Sequence, residues 1–507
     1  MTSLLAHRLS RNEIVTSSPA TPDERNNNNN DNKINVTATA DDVVGDVISS
    51  FCLDDAAYHD VIDRLLVDME RGLSPTSGDD NDDAQATAAD LKMLPTYVRS
   101  LPDGSERGAF LALDLGGTNF RVLLIQLRDA GAVDKQSAEF TISDGLKRGD
   151  GAALFDYIAE CIHAFLTQQQ QRDVTQTADD APLPLGFTFS FPCRQEGLAV
   201  GRLIHWTKGF SCSGVVGRDV VALLDDAIRR RGDVNVVCVA ILNDTVGCLL
   251  SRAFHDHKTE IGVILGTGTN ACYMEQLQRV KTLAGGALSD DGHPQQMVIN
   301  TEWGAFGSQG ALDSIRTGVD RDVDADSLNP GQQIFEKMIS GMYLGELVRN
   351  VIVQCARRGA MFAGALSDVM LTKDKFETKY MSLIESETAL DEITQTKSIL
   401  QDELKQSDVT AQDCVNVKRI CEAVSTRAAL LSACGLAALI ERVGKRDVTV
   451  AMDGTLYKQH PTFHRRMDVK LRSLLSSEVK VEMKLSEDGS GVGAALVAAV
   501  TQRLATR

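Results

Sequence analysis

The sequence lacks several features that mark common classes of protein. It has no basic excess, since its formal net charge is −18, whereas nucleic-acid-binding proteins usually carry a basic domain or stripe. No uninterrupted run reaches the roughly 18 apolar residues of a membrane-spanning helix. We therefore expect neither nucleic-acid binding nor a transmembrane segment.

Paired cysteines are also absent. The closest two of the 11 cysteines, Cys414 and Cys421, have six residues between them. This spacing argues against a zinc ribbon, a thioredoxin motif and a dense disulfide framework. Cysteines within apolar runs, such as Cys238 and Cys248, are typical of reduced core residues. The pattern predicts a reducing compartment.

Length and composition predict a multidomain chain behind a polar tail. The chain has 507 residues, of which 43% are hydrophobic and 24% charged. That length suggests two to four domains of roughly 150 residues. Residues 1–40 include five consecutive asparagines, and we predict that they form a disordered tail. Apolar residues at helical spacing predict helices over 41–72, 155–168, 215–230, 332–355 and 412–440.

Two segments about 150 residues apart repeat one order of apolar strand, glycine-threonine turn and apolar strand. The turn residues are Gly116, Gly117, Thr118 and Asn119 in the first segment and Gly266, Thr267 and Gly268 in the second. Successive N–H groups at such turns form an anion cradle. Each turn alone also suits a plain hairpin, but the pair predicts a nucleotide-phosphate site divided between two related α/β lobes. The first turn lacks the Gly-Lys-Ser/Thr ending of a P-loop, so that fold is not indicated.

Two aspartates end apolar strands. Asp114 precedes the first turn and could hold Mg²⁺ through water, because Mg²⁺ sheds its waters reluctantly. Asp244 follows Asn243 at the junction of a buried strand and a helix, where α/β sheets bind ligands. We expect the helix dipole to favour an ionised Asp244, which could accept the proton of an attacking hydroxyl. An ordinary helix cap is the alternative.

Further segments offer polar side chains of the kind that orient a polyol. They contain Ser190, Thr207, Lys208, Asn270, Glu302, Gln333 and Glu336. A strand that runs into Asp453, Gly454 and Thr455 suits a nucleoside. Taken singly, these segments also suit surface loops, ordinary turns and helix caps.

Together, the motifs resemble the hexokinase family, including glucokinases. The segments that carry the resemblance read LDLGGTNFRV, SFPC, HWTKGF, ILNDTVG, GTGTNACYME, NTEWGAFG, NPGQQIFEK, MYLGELVR, DGTLYK and SEDGSGVGAAL. They occur in one order and cover roughly residues 41–501. The chain holds one such unit, whereas some relatives carry two.

The resemblance implies an α/β, two-lobed actin-like ATPase (ribonuclease H-like) fold, with a small and a large domain around a sugar-binding cleft. The implied parts are residues 41–98, an N-terminal helical part of the large domain; 99–242, the small domain, with a C-terminal return near 484–500; and 243–483, the large domain.

The implied activity is ATP-dependent phosphorylation of the 6-hydroxyl of glucose, the first step of glycolysis, with mannose and fructose as further substrates. ATP and Mg²⁺ would be required, and we expect a cytosolic monomer, with a weak association with the mitochondrial surface left open. A catalytically silent glucose sensor or scaffold is the alternative. A kinase for glycerol or an acylated sugar is disfavoured by the segments around Lys208 and Glu302.

The resemblance also implies roles for single residues. Asp244 would be the general base, Lys208 a catalytic residue and Arg121 a positioning group. The sugar contacts would be Ser190, Thr207, Lys208, Asn243, Asp244, Asn270, Glu302, Gln333 and Glu336. The nucleotide side would comprise Asp114, which matches the Mg²⁺-side carboxylate, with Gly116, Gly117, Thr118, Asn119, Gly266, Thr267, Gly268, Thr378, Ser382, Asp453, Gly454 and Thr455. One departure is Val492, where the family often has Lys or Arg. We expect this difference to alter either the helix that faces the nucleotide or the closure of the two lobes.

Overall fold

The computed structural model describes residues 40–75, 89–116, 119–129, 132–170, 181–283, 292–389, 392–486 and 488–505. Nearly all of the predicted disordered tail, and both Gly117 and Thr118 of the first turn, lie outside the described residues. The side chain of Asn119 is not described either.

Strands and helices alternate along the described part of the chain. The strands are β1 (Leu94–Pro95), β2 (Gly108–Leu115), β3 (Asn119–Leu127), β4 (Val133–Thr141), β5 (Leu183–Phe189), β6 (Cys193–Gly197), β7 (Val200–Leu203), β8 (Val236–Leu242), β9 (Thr259–Leu265), β10 (Thr269–Gln276), β11 (Gln296–Asn300), β12 (Asp447–Asp453) and β13 (Lys480–Leu485). The helices are α1 (Ala40–Ser49), α2 (Asp55–Gly72), α3 (Asp144–Arg148), α4 (Gly151–Gln170), α5 (Val220–Arg231), α6 (Asp244–Ala253), α7 (Gly318–Ala325), α8 (Ile334–Ile339), α9 (Gly341–Arg357), α10 (Asp368–Leu371), α11 (Thr378–Ser386), α12 (Thr394–Ser398), α13 (Ala411–Val443), α14 (Thr455–Gln459), α15 (Phe463–Leu474) and α16 (Gly489–Ala505).

Two sheets share one topology. The five-stranded sheet has the order β4-β3-β2-β5-β8, and the six-stranded sheet has the order β1-β11-β10-β9-β12-β13. In each, three strands that are consecutive in the chain pair antiparallel, and two later strands add in parallel. This repeated unit gives the two-lobed α/β fold of actin-like ATPases, in agreement with the predicted fold class. The domain boundaries stay predictions.

Helices α6 and α16 lie between the two sheets. A buried cluster joins residues of β2 and β3 with residues of β10 and with both helices. The apolar residues of this cluster are removed from water only when the two sheets come together, so hydrophobic burial couples the lobes. Helix α6 begins at the strand end of one sheet and packs on the other.

The long helix α13 is a core helix. By length and composition it could cross a bilayer, but 83% of its most apolar 18-residue window is buried in the protein. Thr410 and Asp413 form a capping box at its start, and Gly444 (φ 69°) ends it in the left-handed conformation that glycine adopts without strain. The structure thus confirms a buried helix for the apolar end of the 412–440 prediction.

Several helix predictions have wrong boundaries. The helix expected from residue 215 begins at Val220, because Asp219 caps it by accepting from the Val221 N–H. The helix expected over 332–355 is broken into α8 and α9 at Ser340, whose backbone is extended (φ −93°, ψ 153°). The 41–72 segment likewise forms two helices, α1 and α2.

The crossing of α6 and α16 depends on glycine. A Cβ on Gly493 would lie 2.2 Å from the carbonyl oxygen of Gly247. We expect Gly493→Ala to lower the free energy of unfolding by about 1–3 kcal/mol, because the extra methyl forces the helices apart. Gly45→Ala in α1 is the control, since its Cβ would meet only Arg419 Nη2 at 3.8 Å. Thermal unfolding should show a lower midpoint for Gly493→Ala alone; equal midpoints would contradict the argument.

Candidate functional site

Asp244 lies where β8 meets α6. Asn243 caps the helix, and its Oδ1 accepts from the Thr245 N–H (3.0 Å) and hydroxyl (2.8 Å). Asp244 Oδ1 also accepts from the Thr245 N–H (2.9 Å). Asn243 is therefore the N-cap residue: its backbone is extended and its side chain accepts from an N–H of the first helical turn. Asp244 remains half-buried, with only one of its two carboxylate oxygens engaged by this backbone amide.

A hydrogen-bonded group of amides and a carboxylate surrounds this position. Asn270 Nδ2 donates to Asn300 Oδ1 (2.8 Å), to Glu302 Oε1 (3.0 Å) and, more weakly, to Asn243 Oδ1 (3.4 Å). Asn300 Nδ2 donates to the same Glu302 oxygen (2.8 Å), and the Glu302 N–H donates to Asn270 Oδ1 (3.1 Å). These bonds fix the side chains of Asn270 and Glu302 in one orientation.

Glu336 and Gln333 close the other side of this group. Glu336 Oε2 accepts from the Thr269 N–H (3.0 Å). Gln333 passes so close to Gly304 that a Cβ there would lie 2.6 Å from Gln333 Oε1, and a Cβ on Gly268 would lie 2.9 Å from Glu336 Oε2. Glycine at both positions makes room for the two long side chains.

Three of the predicted sugar-contact residues have left-handed backbones without being glycine. They are Lys208 (φ 54°), Glu302 (φ 52°) and Gln333 (φ 53°). Each such residue costs on the order of 1–3 kcal/mol and persists only where the surroundings hold it. Eight other non-glycine residues in the described part of the chain share this conformation, so it does not mark the site by itself, but here it sets the direction of three polar side chains.

The pKa of Asp244 lies above its usual range. Burial is the main cause, and the charges of Asp114 and Asp453 add to it, while Lys208 and the Thr245 N–H act in the opposite sense. The helix dipole, which we expected to favour an ionised Asp244, is not the dominant influence on this pKa, because desolvation outweighs it. A carboxyl group with a raised pKa is better matched to proton transfer near neutral pH.

Two further carboxyl groups share this property. Burial raises the pKa of Glu302, opposed by the Asn300 amide and reinforced by Asp244 and Glu336. Burial also raises the pKa of Glu336, against the stabilising Thr269 N–H. Three acids whose pKa values are raised chiefly by burial, close together in the fold, are typical of a functional site.

Lys208 supplies positive charge at the edge of the first turn. Its Nζ lies 3.9 Å from the position a Cβ on Gly116 would take, and the Ser190 side chain lies 3.4 Å from that point. Thr207 precedes it in a turn that the Phe210 N–H closes onto the Thr207 carbonyl (3.1 Å). Ser190 is buried, whereas Lys208 is exposed.

The second glycine turn is anchored by a helix start. The N–H groups of Gly341 and its successor in α9 donate to the carbonyls of Gly266 (2.8 Å) and Thr267 (2.9 Å). A Cβ on Gly266 would lie 3.4 Å from Gly454 Cα and 3.5 Å from Thr455 N. The structure thus brings the second turn against the Asp-Gly-Thr turn that was predicted to seat a nucleoside.

Thr378 acts here mainly as an anchor. Its hydroxyl donates to the Gly341 carbonyl and accepts from the Gly345 N–H (2.9 Å). It therefore fixes the start of α9, which in turn holds the second glycine turn. Ser382 lies one helical turn further along α11 and is half-buried.

Asp114 and Arg121 form an ion pair beside the first turn. Arg121 Nη2 donates to Asp114 Oδ2 (2.7 Å) and to Ser490 Oγ (3.1 Å), and Ser490 donates to the same Asp114 oxygen (2.7 Å). Arg121 Nη1 also pairs with Asp488 (2.7 Å), which Lys135 contacts at 2.6 Å. Arg121 therefore orients the Asp114 carboxylate.

Within the described residues no group of three or more His, Cys, Asp or Glu side chains is arranged to hold a metal ion. Asp114 uses Oδ2 for Arg121 and Ser490. Mg²⁺ is usually bound by one or two carboxylates together with phosphate oxygens and waters. The protein therefore offers a carboxylate, Asp114, which fits a Mg²⁺ ion whose other ligands are phosphate oxygens and waters.

Comparison with known proteins identifies the family. Two family models, both described as hexokinase, match residues 43–254 and 260–500. The solved structure of a hexokinase from Schistosoma mansoni, in complex with glucose, is 40% identical and has a TM-score of 0.79, covering 91% of this chain and 99% of that one. This chain belongs to the hexokinase family. Another solved hexokinase structure is 30% identical, with a TM-score of 0.75 and the same coverage.

Two of the curated hexokinases that it matches are longer. Human hexokinase-2 is 47% identical over 461 residues, which make up 89% of this chain and 47% of the relative. Rat hexokinase-3 is 48% identical over 426 residues, 83% of this chain and 44% of the relative. The chain thus spans about half the length of these hexokinases.

The hexokinase motifs did not point to every residue of the site. Asn300 holds both Asn270 and Glu302, and Ser490 and Asp488 hold the Asp114–Arg121 pair. Asn300 stands in the segment NTEWGAFG, two residues before Glu302, so an amide at the end of an apolar strand was the available signal.

Proposed function

We propose that this hexokinase-family chain transfers the γ-phosphoryl group of Mg·ATP to the 6-hydroxyl of glucose, giving glucose 6-phosphate and ADP. The observation that carries the proposal is the half-buried group of Asn243, Asp244, Asn270 and Glu302, with Glu336, beside the second glycine turn. Polyol recognition needs several fixed donors and acceptors in one cleft, and this group provides them. The glucose-bound relative from Schistosoma mansoni supports the same substrate.

The nucleotide side is supported by backbone geometry. The second glycine turn leaves Thr267 exposed, and the facing turn has no room for a larger residue at Gly454, where a Cβ would lie 2.2 Å from the Leu265 carbonyl oxygen. Successive N–H groups at such turns bind phosphate oxygens. Mg²⁺, bound to those oxygens and to Asp114 through water, would neutralise charge that develops during transfer.

Asp244 is the group placed to take the proton of the sugar hydroxyl as its oxygen attacks phosphorus. Its raised pKa makes it a better proton acceptor than an exposed aspartate. Lys208, whose charge acts on both Asp244 and Glu336, would balance negative charge in the cleft. Alignment and electrostatics then supply most of the rate.

A coupled assay tests the proposal. The purified chain, supplied with glucose, ATP and Mg²⁺, should form glucose 6-phosphate, and assays with mannose and fructose should show its preference among hexoses. Glucose binding without product would instead support a silent sensor or scaffold.

Other properties of the chain remain proposals. We infer a reducing environment from the eleven cysteines, all of which are free thiols. We leave three points as predictions: a cytosolic location, a monomeric state and, as an alternative, a weak association with the mitochondrial surface.

Gly454→Ala should weaken the nucleotide side selectively. Gly454 has φ 105°, and a Cβ there would lie 2.2 Å from the Leu265 carbonyl oxygen. The turn must therefore shift, and we expect the KM for ATP to rise on the order of tenfold or more while the KM for glucose changes little. Gly359→Ala is the control, because Gly359 has φ 74° with open space around it. Equal effects on both KM values would contradict this assignment.

A further inference from the structure

A buried ion pair lies beneath the loop that leads to Gln333. Lys337 Nζ donates to Asp324 Oδ1 (2.7 Å) and to the Asn329 carbonyl (2.7 Å). Asp324 Oδ1 also accepts from the Gly331 N–H (2.9 Å). Its other oxygen accepts from Arg316 (2.8 Å). The pair therefore binds the loop at two backbone groups, the Asn329 carbonyl and the Gly331 N–H.

This pair is largely buried. The Lys337 side chain is 3% exposed and that of Asp324 12%. Burial lowers the pKa of Lys337, with Asp324 acting against that effect, and the pKa of Asp324 is lowered because Lys337, the Gly331 N–H and Arg316 outweigh its burial. A charge-assisted bond in such a setting is stronger and more directional than one at the surface.

The loop itself has little else to hold it in place. No residue from 325 to 332 is buried, and Leu328 is 95% exposed. Apolar packing therefore cannot fix its path. Its first half has polar contacts from Ser327 to Asp324 and from Lys373 to Asp326. From Asn329 onward the loop also has bonds within itself, from the Asn329 N–H to Ser327 Oγ (3.4 Å) and from the Gln332 N–H to the Asn329 carbonyl (3.1 Å). The ion pair ties this second half to the helices on either side of the loop.

That segment sets the position of two residues of the site. Gln333 follows Gly331 by two residues in a strained left-handed backbone, which must be held from outside. Its side chain lies against Gly304, and Glu336 is the immediate neighbour of Lys337 on α8. One short helix thus directs Glu336 into the cleft and Lys337 under the loop.

We propose that Asp324 and Lys337 are positioning residues for sugar binding: without touching the sugar, they hold the 329–333 loop so that Gln333 and Glu336 face it. This inference rests on the proposed function, since it assigns the sugar to this cleft. It predicts a defect confined to the sugar side, because the described side-chain bonds of the two residues go to each other, to Arg316 and to the backbone of the loop.

The test is Lys337→Met, which keeps the length of the side chain and removes its charge. We expect the KM for glucose to rise about tenfold, the cost of losing hydrogen bonds to a charged group, while the KM for ATP and kcat stay within about twofold. Asp324→Asn, which retains an oxygen for the Gly331 N–H, should raise the KM for glucose less. It also provides the measurement if Lys337→Met does not fold.

Lys470→Met is the matched control. Lys470 is also nearly buried and pairs with Asp55 at 2.7 Å, but it lies on α15 and contacts α2. Its KM for glucose should stay at the wild-type value. Unchanged glucose KM in both Lys337→Met and Asp324→Asn, or an equal rise in Lys470→Met, would overturn the proposal. Glucose binding followed by tryptophan fluorescence needs no turnover, so absence of product from the wild-type chain would overturn the proposed function alone.

Discussion

Replacing Asp244 with Asn is expected to lower kcat by roughly two to four orders of magnitude, the usual contribution of a general base. The amide has the same shape and can still accept from the Thr245 N–H, but it cannot take the proton of the sugar hydroxyl. Glucose binding should survive in weakened form, because Asn270 and Glu302 are held by their own bonds. The measurement is steady-state kinetics with glucose and Mg·ATP, together with equilibrium glucose binding.

The same assignment fixes the sign of the pH dependence. The base must be ionised to act, so kcat/KM should fall as the pH drops through the pKa of Asp244. Because that pKa is raised by burial and by Asp114 and Asp453, the fall should begin at a higher pH than for an exposed aspartate. Asp453→Asn removes one of the negative charges that raise the pKa of Asp244, so it should move the fall in kcat/KM to lower pH.

Asp256→Asn provides the control for Asp244→Asn. Asp256 lies just beyond the other end of α6, where it pairs with Lys484 at 2.9 Å. Its replacement changes charge at the same helix without touching the cleft, so turnover should stay within about twofold. Near-normal turnover in Asp244→Asn, or an equal loss in Asp256→Asn, would refute the base assignment.

Local sequence signals were sufficient for the junction that carries Asp244. The apolar residues of β8, the Asn243 cap and the helical spacing of α6 are all contained in one short segment, so each could be interpreted without the rest of the fold. The paired glycine turns likewise predicted two related lobes, because a shared topology leaves a shared sequence pattern. The fold class followed from them and from the family resemblance.

Contacts between distant segments explain what the sequence did not show. The role of Asn300 depends on the antiparallel register of β10 and β11, which pairs Cys272 with Asn300, and no local pattern encodes that register. The raised pKa of Asp244 also arises from burial and from charges on two remote segments. A helix dipole can be anticipated from sequence, but desolvation requires the folded structure.

Val492 illustrates the same limit. The sequence shows only that an apolar residue stands where the family often has a cation. In the structure its side chain is 9% exposed and belongs to the buried cluster between the two sheets. Valine therefore adds apolar contact at the start of α16, next to the helix crossing at Gly493. A basic residue there would have to reach past this cluster to water.

Replacing Arg427 with Met is expected to lower the free energy of unfolding by about 3–5 kcal/mol, because it leaves a buried carboxylate without its partner. The side chain of Arg427 is 0% exposed and donates two hydrogen bonds to Asp320, at 2.7 and 2.6 Å. Its guanidinium also lies 4.4 Å from the Phe51 ring centroid. Urea unfolding of the variant and wild type gives the difference.

The pH dependence separates a lost ion pair from lost packing. Burial alone would raise the pKa of Asp320, but Arg427 and the bonds from Thr317 outweigh it and lower that pKa in the native protein. A lowered native pKa adds stability above the unfolded pKa, and this is lost as the pH falls through the native value. Without Arg427 the pKa of Asp320 should rise, so acid protonates this carboxylate in the variant and removes the cost of a buried, unpaired charge. In the wild type, the same protonation breaks the ion pair and lowers stability. The stability gap should therefore narrow on acidification, and Arg427→Met combined with Asp320→Asn should cost less than the sum of the single changes. A gap that is independent of pH, with additive costs, would attribute the loss to packing against Phe51 instead.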